Sequence, residues 1–499
     1  MTEFEAEQTL YIDGRWCRAH GGGRRQILNP ANGTVLAQVD EADQLDAVAA
    51  VTAARTAFHN TAWRETSTRE RARLLERIGD LIDRDRNHLA RIETLDTGKT
   101  LRESYIDIDD VVSVFRYYSR LATSESDRSI DTGDPKIVSR VVREPIGVCV
   151  LIAPWNYPLL QIAWKIAPAL AAGATMVVKP SEVTPLSTIA LVRLIHEVFE
   201  SSGTPPGVVN LIQGSGTAVG SALTDNPDVD LISFTGSGAT GAAITRAAAP
   251  HIIKVAMELG GKNPHIVFAD ADWNSAVDAV VTGVFLHSGQ VCSSGTRLIV
   301  EDGIADDFVA ALKMRAEAIR FGDGMDPISQ TGPLVSEAHR VKVESYVALG
   351  ITEGATLVTG GYRPTEPRFA KGSFYPPTIL DHCASHMRVV TEETFGPILT
   401  VERFDTEAQA IALGNDTRYG LAAGVRTSDA ALGERVARAL RYGTVWVNDF
   451  GVYNPAAEWG GFGKSGIGRE LGPSGLAEYQ ELKHIWTNTV QEEVGWFTV

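Results

Sequence analysis

Cys292 lies in the stretch GQVCSS, residues 289–294, with a further glycine behind it. Cysteine more often serves packing than chemistry, but glycine, serine and glutamine neighbours mark a thiol that a substrate can reach. Upstream, Glu258 stands in MELGGKNP, where an apolar run meets a Gly-Gly bend. Desolvation at the end of an apolar strand raises a carboxyl pKa, which suits a general base near neutral pH. Asn156 sits in PWNYP, between two prolines that stiffen the backbone and present its amide as a donor to an oxyanion. A thiol, a carboxylate and an amide donor at strand or loop ends make an acyl-transfer site.

Glycine turns lie beside all three. Gly236, Gly238 and Gly241 form G-x-G-x-x-G between the strand-like DLISFT and the helical ATGAAITRAAA. Backbone amides at such a turn, with a helix N-terminus behind them, favour a phosphate. Gly214 and Gly216 make a similar turn after VVNLI. Without a ligand the same glycines would make only tight turns. The dinucleotide fingerprint next seeks an acidic ribose ligand roughly 20 residues on. Glu258 falls near that spacing, but its place among the reactive groups assigns it to base catalysis instead.

The elements around these residues divide into two kinds. The first hundred or so residues read as helices: one over about 42–58, one from Ser67, where Ser67 and Glu70 have capping-box spacing, and one over 105–121. Residues 136–146 alternate as an exposed strand pair would. From Val148 onward, β-branched runs (VCVLIAP, TMVVKP, GVVNLI, VDLISFT, HIIKVAME) alternate with helical stretches. That pattern implies βαβ units and a mostly parallel sheet. The helix after VVKP has Thr184 as its expected cap, Pro185 as its first residue and Gly203 as its stop. A second α/β stretch follows Gly261, with a helix over about 274–286 and a strand over 297–300.

Composition bounds the partners. A length of 499 residues suggests about three domains of roughly 150 residues. With 44% hydrophobic and 22% charged residues, the chain is neither disordered nor fibrous. The 46 basic and 62 acidic residues leave a net charge of −16, which argues against nucleic-acid and anionic-membrane partners. Four cysteines are too few for a disulfide framework in a chain this long. The start, MTEFEAEQTL, has no basic and apolar leader pattern. The most apolar region, 147–178, is broken by Pro154, Asn156, Pro158, Gln161 and Lys165, short of the ~18 apolar residues of a membrane span. A cytoplasmic location is the expectation. His382, Cys383 and His386 in DHCASHM look like a metal cluster, but no fourth ligand follows at a familiar spacing, so no metal is expected.

The chain resembles the aldehyde dehydrogenase superfamily through seven motifs in family order. They are PWNYP, VVKPSE (177–182), FTGS (234–237), MELGGKNP (257–264), GQVCSS (289–294), EETFGP (392–397) and SGIGRE (465–470). The resemblance implies an α/β fold with a parallel-sheet NAD-binding domain (1–126 and 146–259) and an α/β catalytic domain (260–464). A small β oligomerisation arm and tail (127–145 and 465–499) completes it, with the exposed strand edge joining a partner in a homodimer or homotetramer. Cys292 would be the nucleophile, forming a thiohemiacetal whose oxyanion meets Asn156 and the Cys292 backbone N–H. Hydride loss to the nicotinamide would leave a thioester, which Glu258 hydrolyses by activating water. Family members that transfer the acyl group to coenzyme A typically lack this glutamate, so a free carboxylic acid is the expected product. Glu470 matches a second acid with a proton-relay role; a salt bridge to a neighbour such as Arg469 is the alternative.

For the cofactor, the resemblance assigns Lys179 and Glu182 to the adenosine ribose, with NAD favoured over NADP because a carboxylate repels a 2′-phosphate. Gly214, Gly236 and Ser237 would meet the pyrophosphate, Glu393 the nicotinamide ribose, and Trp155 and Phe395 would pack close by. Tyr157, Trp164 and Trp459 match the aromatic tunnel of the branch acting on betaine aldehyde, where rings attract a quaternary ammonium. Tyr157 and Trp164 are seven apart, on one face if LLQIAW is helical. Leu286 stands where some of these enzymes carry a third tryptophan. The expected reaction is NAD-dependent oxidation of betaine aldehyde to glycine betaine, with ω-aminoaldehydes or aliphatic aldehydes as the alternative. A non-catalytic binding or structural protein would not need Cys292, Glu258 and Asn156. A cofactor-free thiol hydrolase would not need Lys179, Glu182 and the glycine turns.

Overall fold

An eight-stranded sheet has the order Gly466–Ile467, Lys254–Leu259, Leu231–Gly236, Val148–Ile152, Thr175–Lys179, Val209–Leu211, Leu10–Ile12, Arg15–Cys17. Its five inner strands are parallel and the outer ones antiparallel. Val148–Ile152 and Thr175–Lys179 are buried along their whole length, as the continuous apolar runs in the sequence require when helices cover both faces. The computed structural model describes Glu5, residues 7–492 and residues 496–497. Residues 1–4 and 6, part of the start that bears on a leader, and residues 493–495 and 498–499 of the expected tail lie outside the described residues.

The chain runs from Val148–Ile152 outward in one direction through Thr175–Lys179 and Val209–Leu211. It then returns to the other side for Leu231–Gly236 and Lys254–Leu259. A crevice opens at the carboxyl ends of strands where such an order reverses, and ligands bind there. A second sheet of seven strands, Thr356–Thr359, Thr378–Asp381, Ile398–Phe404, Arg297–Glu301, Pro264–Val267, Ala422–Arg426 and Thr444–Val447, is parallel except for its first strand. The mixed α/β architecture with parallel sheets is the one the sequence implied.

Several local expectations hold. Helices run over Gln44–His59, Thr68–Arg84 and Leu101–Ser124, and Ser67 and Glu70 form the capping box. Trp273–Phe285 and Arg297–Glu301 fall within a residue of the reading. Others differ. Residues 7–41 are not helical but form five short strands, Glu7–Gln8, Leu10–Ile12, Arg15–Cys17, Gly23–Leu28 and Val35–Glu41. Most pair with one another, Leu10–Ile12 with Arg15–Cys17 and Val35–Glu41 with both Gly23–Leu28 and Glu7–Gln8, and Tyr11 opposite Leu211 joins them to the large sheet.

Residues 136–146 hold one strand, Ile137–Pro145, instead of a pair. It pairs antiparallel with Arg128–Ile130 on one side and Gln480–Asn488 on the other. Thr184 does not cap the helix Leu186–Ser202: its hydroxyl donates to the Trp155 carbonyl (3.1 Å), and Asp96 Oδ2 accepts from the Leu186 N–H at 2.8 Å. Pro185 is that helix's N-cap residue instead of its first, and Gly203 ends it in the left-handed conformation.

Candidate active site

A cavity of about 610 Å³ occupies the crevice at the strand ends. Cys292, Glu258 and Asn156 all line it, together with Trp155, Lys179, Glu182, Gly236, Ser237, Glu393 and Phe395. Residues from opposite ends of the sequence therefore converge on one space.

The loop that carries Cys292 is built against its own preference. His287, Ser288 and Gly289 all have positive φ (47°, 54° and 70°). Left-handed non-glycine residues cost of order 1–3 kcal/mol each and persist only where their surroundings fix them. Here the His287 N–H donates to Glu103 Oε1 (2.7 Å) and the Ser288 N–H to Thr331 Oγ1 (2.9 Å). On the far side of the cysteine, the Asn263 amide donates to the carbonyls of Cys292 (2.8 Å) and Ser294 (3.0 Å). The Asn156 amide donates to the Gln290 carbonyl at 2.8 Å, leaving its second N–H for another acceptor.

The electrostatics of the pocket favour protonated acids. Burial, then the Glu393 and Glu258 carboxylates, pushes the Cys292 thiol up to about 12. Among the described residues, neither oxygen of Glu258 has a hydrogen-bond partner. Burial and then the charge of Glu470 hold its carboxyl well above the ordinary range, against an opposing pull from Lys165. Gly460 leaves room for it: a Cβ there would lie 2.8 Å from Glu258 Oε1. Once it has lost its proton, an unpartnered carboxylate on the same cavity as the thiol can take a proton from a third body.

Glu470 is not on the cavity wall. It pairs with Lys165, whose ammonium also donates to Thr235 Oγ1 at 2.7 Å. Arg469, the partner considered from sequence, donates instead to the Gly461 and Gly468 carbonyls. The second oxygen of Glu470 is buried with no partner among the described residues, and burial raises the carboxyl's pKa against the pull of Lys165.

The far end of the cavity carries features that suit a dinucleotide. Ser237 caps the helix Gly238–Ala248, and its N-terminal turn faces the space. Gly241 has a packing role, because a Cβ there would come within 2.7 Å of Leu259. Gly214 does not line the cavity; Gly216 and Gly220, at the start of the short helical stretch 216–224, do so instead. Gly214 sits behind that wall, where a Cβ would lie 2.6 Å from Val219. Lys179 is buried, its Nζ 3.8 Å from Glu182 Oε2, and burial lowers its pKa while Glu182 opposes.

Glu393 accepts from the Gly261 N–H at 3.1 Å, and only a glycine at 260 avoids its carboxylate. Burial raises Glu393 to about 7. Trp155 and Phe395 meet edge-to-face at 5.2 Å. His339 and Lys342 complete this end, and sequence reading missed both. His339 Nε2 lies 2.7 Å from the Phe395 carbonyl and its ring 5.1 Å from Trp155. Their helix, Glu337–Thr352, carries no motif, and only its three-dimensional position reveals them.

The three expected tunnel aromatics are not among the residues lining this cavity; Trp164 and Trp459 belong to a buried apolar cluster against which both Tyr157 and Cys292 pack. Trp164 and Trp459 meet at 6.3 Å, and Tyr453, unnoticed in the sequence, joins both (5.8 and 4.9 Å). Its hydroxyl is 2.5 Å from Ser293 Oγ, tying the ring to the residue after the nucleophile. Tyr157 precedes the helix Pro158–Ala172 that holds Trp164 and packs against His287 at 5.4 Å. Tyr157 and Tyr453 both lie within electrostatic reach of Cys292. Leu286 is exposed at the end of its helix. Cys383 is buried with its thiol toward the Leu380 carbonyl, and among the described residues no three His, Cys, Asp or Glu side chains gather as metal ligands do. No helix among them is long and apolar enough to cross a membrane.

Residues 16–485 match the model of the aldehyde dehydrogenase family. Betaine aldehyde dehydrogenase of Bacillus subtilis (strain 168) is 53% identical over 490 residues, covering 98% of this chain and 99% of that one. Aminoaldehyde dehydrogenase 1, peroxisomal, of Pisum sativum is 40% identical over 498 residues, covering 99% and 98%. The crystal structure of betaine aldehyde dehydrogenase from Staphylococcus aureus in complex with NAD+ superposes with a TM-score of 0.97. It is 47% identical, with 99% of this chain and 97% of that one covered. With its motifs, its parallel sheets and its cysteine–glutamate pair on one cavity, the chain belongs to the aldehyde dehydrogenase family.

Proposed function

We propose that the protein oxidises betaine aldehyde to glycine betaine with NAD, through a thioester on Cys292. The observation that carries this reading is the shared cavity. Cys292 and the unpartnered Glu258 stand at one end, and the capped helix at Ser237 and the Lys179–Glu182 pair at the other. The sequence of the Bacillus subtilis relative and the NAD+ complex of the Staphylococcus aureus one support it.

In this reading Lys179 and Glu182 hold the adenosine ribose. Gly236, Ser237 and the turn at Gly216 cradle the pyrophosphate. Glu393, with Lys342 facing it, holds the second ribose. When bound, NAD supplies the two-electron acceptor for the hydride that leaves the substrate carbon. The chain's own residues do the rest. Cys292 gives its thiol proton to solvent water, the thiolate Sγ attacks the carbonyl carbon, and the new oxyanion meets the free Asn156 N–H and the Cys292 N–H. After oxidation, Glu258 removes a proton from the water that attacks the thioester. Glu470, through its pairing with Lys165, helps set the charge that Glu258 feels.

The labour divides as the sheets do: 1–126 and 146–259 for the nucleotide, and 260–464 for the cysteine loop. Residues 127–145 and 465–499 form the arm, although Gly466–Ile467 first adds a strand beside Lys254–Leu259. The strand Gln480–Asn488 forms a free sheet edge with Leu482 and Trp486 exposed, which suits assembly into a homodimer or homotetramer. A cytoplasmic location accompanies this reading.

NADH production from betaine aldehyde, aminobutyraldehyde and hexanal tests the substrate. Loss of one ring from a quaternary-ammonium cage costs about 0.5–2 kcal/mol, so Trp459→Ala should lower kcat/KM for betaine aldehyde by roughly 2- to 30-fold relative to hexanal. Equal losses for both would remove betaine aldehyde as the substrate and keep the reaction. For the cofactor, Glu182→Gln removes the charge that repels a 2′-phosphate. That change should raise kcat/KM with NADP about tenfold, since the site is partly open to solvent. No gain with NADP would take Glu182 out of the ribose site.

A further inference from the structure

Lys99, in the corner LDTGKT (95–100), is a fully buried cation. It lies between the helices Arg86–Thr97 and Leu101–Ser124 and has no exposed surface. Its Nζ donates to Asp107 Oδ2 at 2.5 Å and Glu93 Oε1 at 3.3 Å, both themselves buried. The same ammonium stands 3.9 Å from the centroid of the Tyr157 ring. Burial works against its charge, and Asp107 and Glu93 more than offset that, so the lysine stays protonated. Glu103 is near but otherwise engaged, with the Thr100 N–H and hydroxyl (2.6 Å each) and the His287 N–H (2.7 Å).

Tyr157 thus has one face covered by a fixed cation and a further contact from the His287 ring. A ring polarised toward a cation on one face cannot attract a second cation equally on the other. Its contribution to a cationic substrate is therefore a wall fixed in position more than a free π-face. Trp164, Tyr453 and Trp459, which pack on one another, carry no such cation among the described residues.

We propose that Lys99 is a positioning residue for substrate selection: clamped by Asp107 and Glu93, its ammonium fixes the Tyr157 ring as one wall of the aldehyde tunnel and itself touches no substrate. The proposal rests on the reading above that Tyr157 borders the tunnel. Its test is a double-mutant cycle of Lys99→Met and Tyr157→Ala, with KM and kcat measured at saturating NAD. The aldehyde is whichever of betaine aldehyde and hexanal wild type takes at the lower KM.

If Lys99 acts through Tyr157, Lys99→Met raises that KM by at least about fivefold while kcat stays within about twofold, and in the Tyr157→Ala background it changes KM by less than about twofold. Equal effects of Lys99→Met in both backgrounds, or a fall in kcat with KM unchanged, would overturn the proposal. Lys99→Met/Asp107→Asn/Glu93→Gln, which removes the lysine together with the charges of both buried carboxylates that clamp it, carries the same comparison if the single variant does not fold. A wild type that prefers hexanal would count against betaine aldehyde as substrate and leave the cycle readable.

Discussion

Cys292→Ser is expected to lower NADH production by at least ~10³-fold while leaving NAD binding unchanged. The argument starts from the pocket. Burial and the Glu393 and Glu258 carboxylates already push the thiol up to about 12. An alcohol ionises far less readily than a thiol, so a serine in the same field would offer almost no nucleophile. The loop itself should survive, because the bonds that hold it (Glu103 to the His287 N–H, Asn263 to the carbonyls of Cys292 and Ser294) involve no cysteine side-chain atom. Fluorescence titration with NAD beside the rate assay checks both halves. Loss of binding together with loss of rate would instead mean that the cysteine is structural.

Glu258→Gln should separate the two halves of the reaction. Acylation needs the thiol, and hydrolysis needs a base for water; a glutamine of the same shape cannot be that base. Steady-state turnover should fall by about 10²–10⁴-fold, with a rapid first burst of about one NADH per active site. The wild-type pH profile carries the same signature. Both Cys292 and Glu258 have pKa values raised, chiefly by burial. An acid with a raised pKa keeps its proton to a higher pH, and each group works only after losing it. Activity should therefore climb as pH rises from 7 through the alkaline range. A rate that peaks below neutrality would contradict the assignment of both groups.

Much of the site was legible because its chemistry sits in short contiguous stretches. PWNYP and MELGGKNP end strands of one parallel sheet, as βαβ topology places them, and GQVCSS is the loop that brings Cys292 to them from the other sheet. What stayed hidden depends on partners distant in sequence. Lys165 pairs with Glu470 across 305 positions, and Tyr453 meets Ser293 across 160. No spacing rule announces either contact. Thr184 has the right identity for a cap, yet Asp96, ninety positions away, takes the helix N–H. Among the strands of residues 7–41, Glu7–Gln8, Leu10–Ile12 and Arg15–Cys17 are only two or three residues long, too short for a period to show, and exist through the sheets they join. Gly214 shows the limit of motif reading by position: the turn is there, but the residues facing the cavity begin two positions later.

Mass spectrometry of Glu258→Gln mixed with betaine aldehyde and NAD probes the covalent step with least inference. The predicted result is an acyl group on the peptide carrying Cys292, formed only when NAD is present and released by hydroxylamine. An unmodified Cys292 peptide from a sample that has produced its equivalent of NADH, or an acyl group on any other residue, would contradict the thioester and the role of this cysteine.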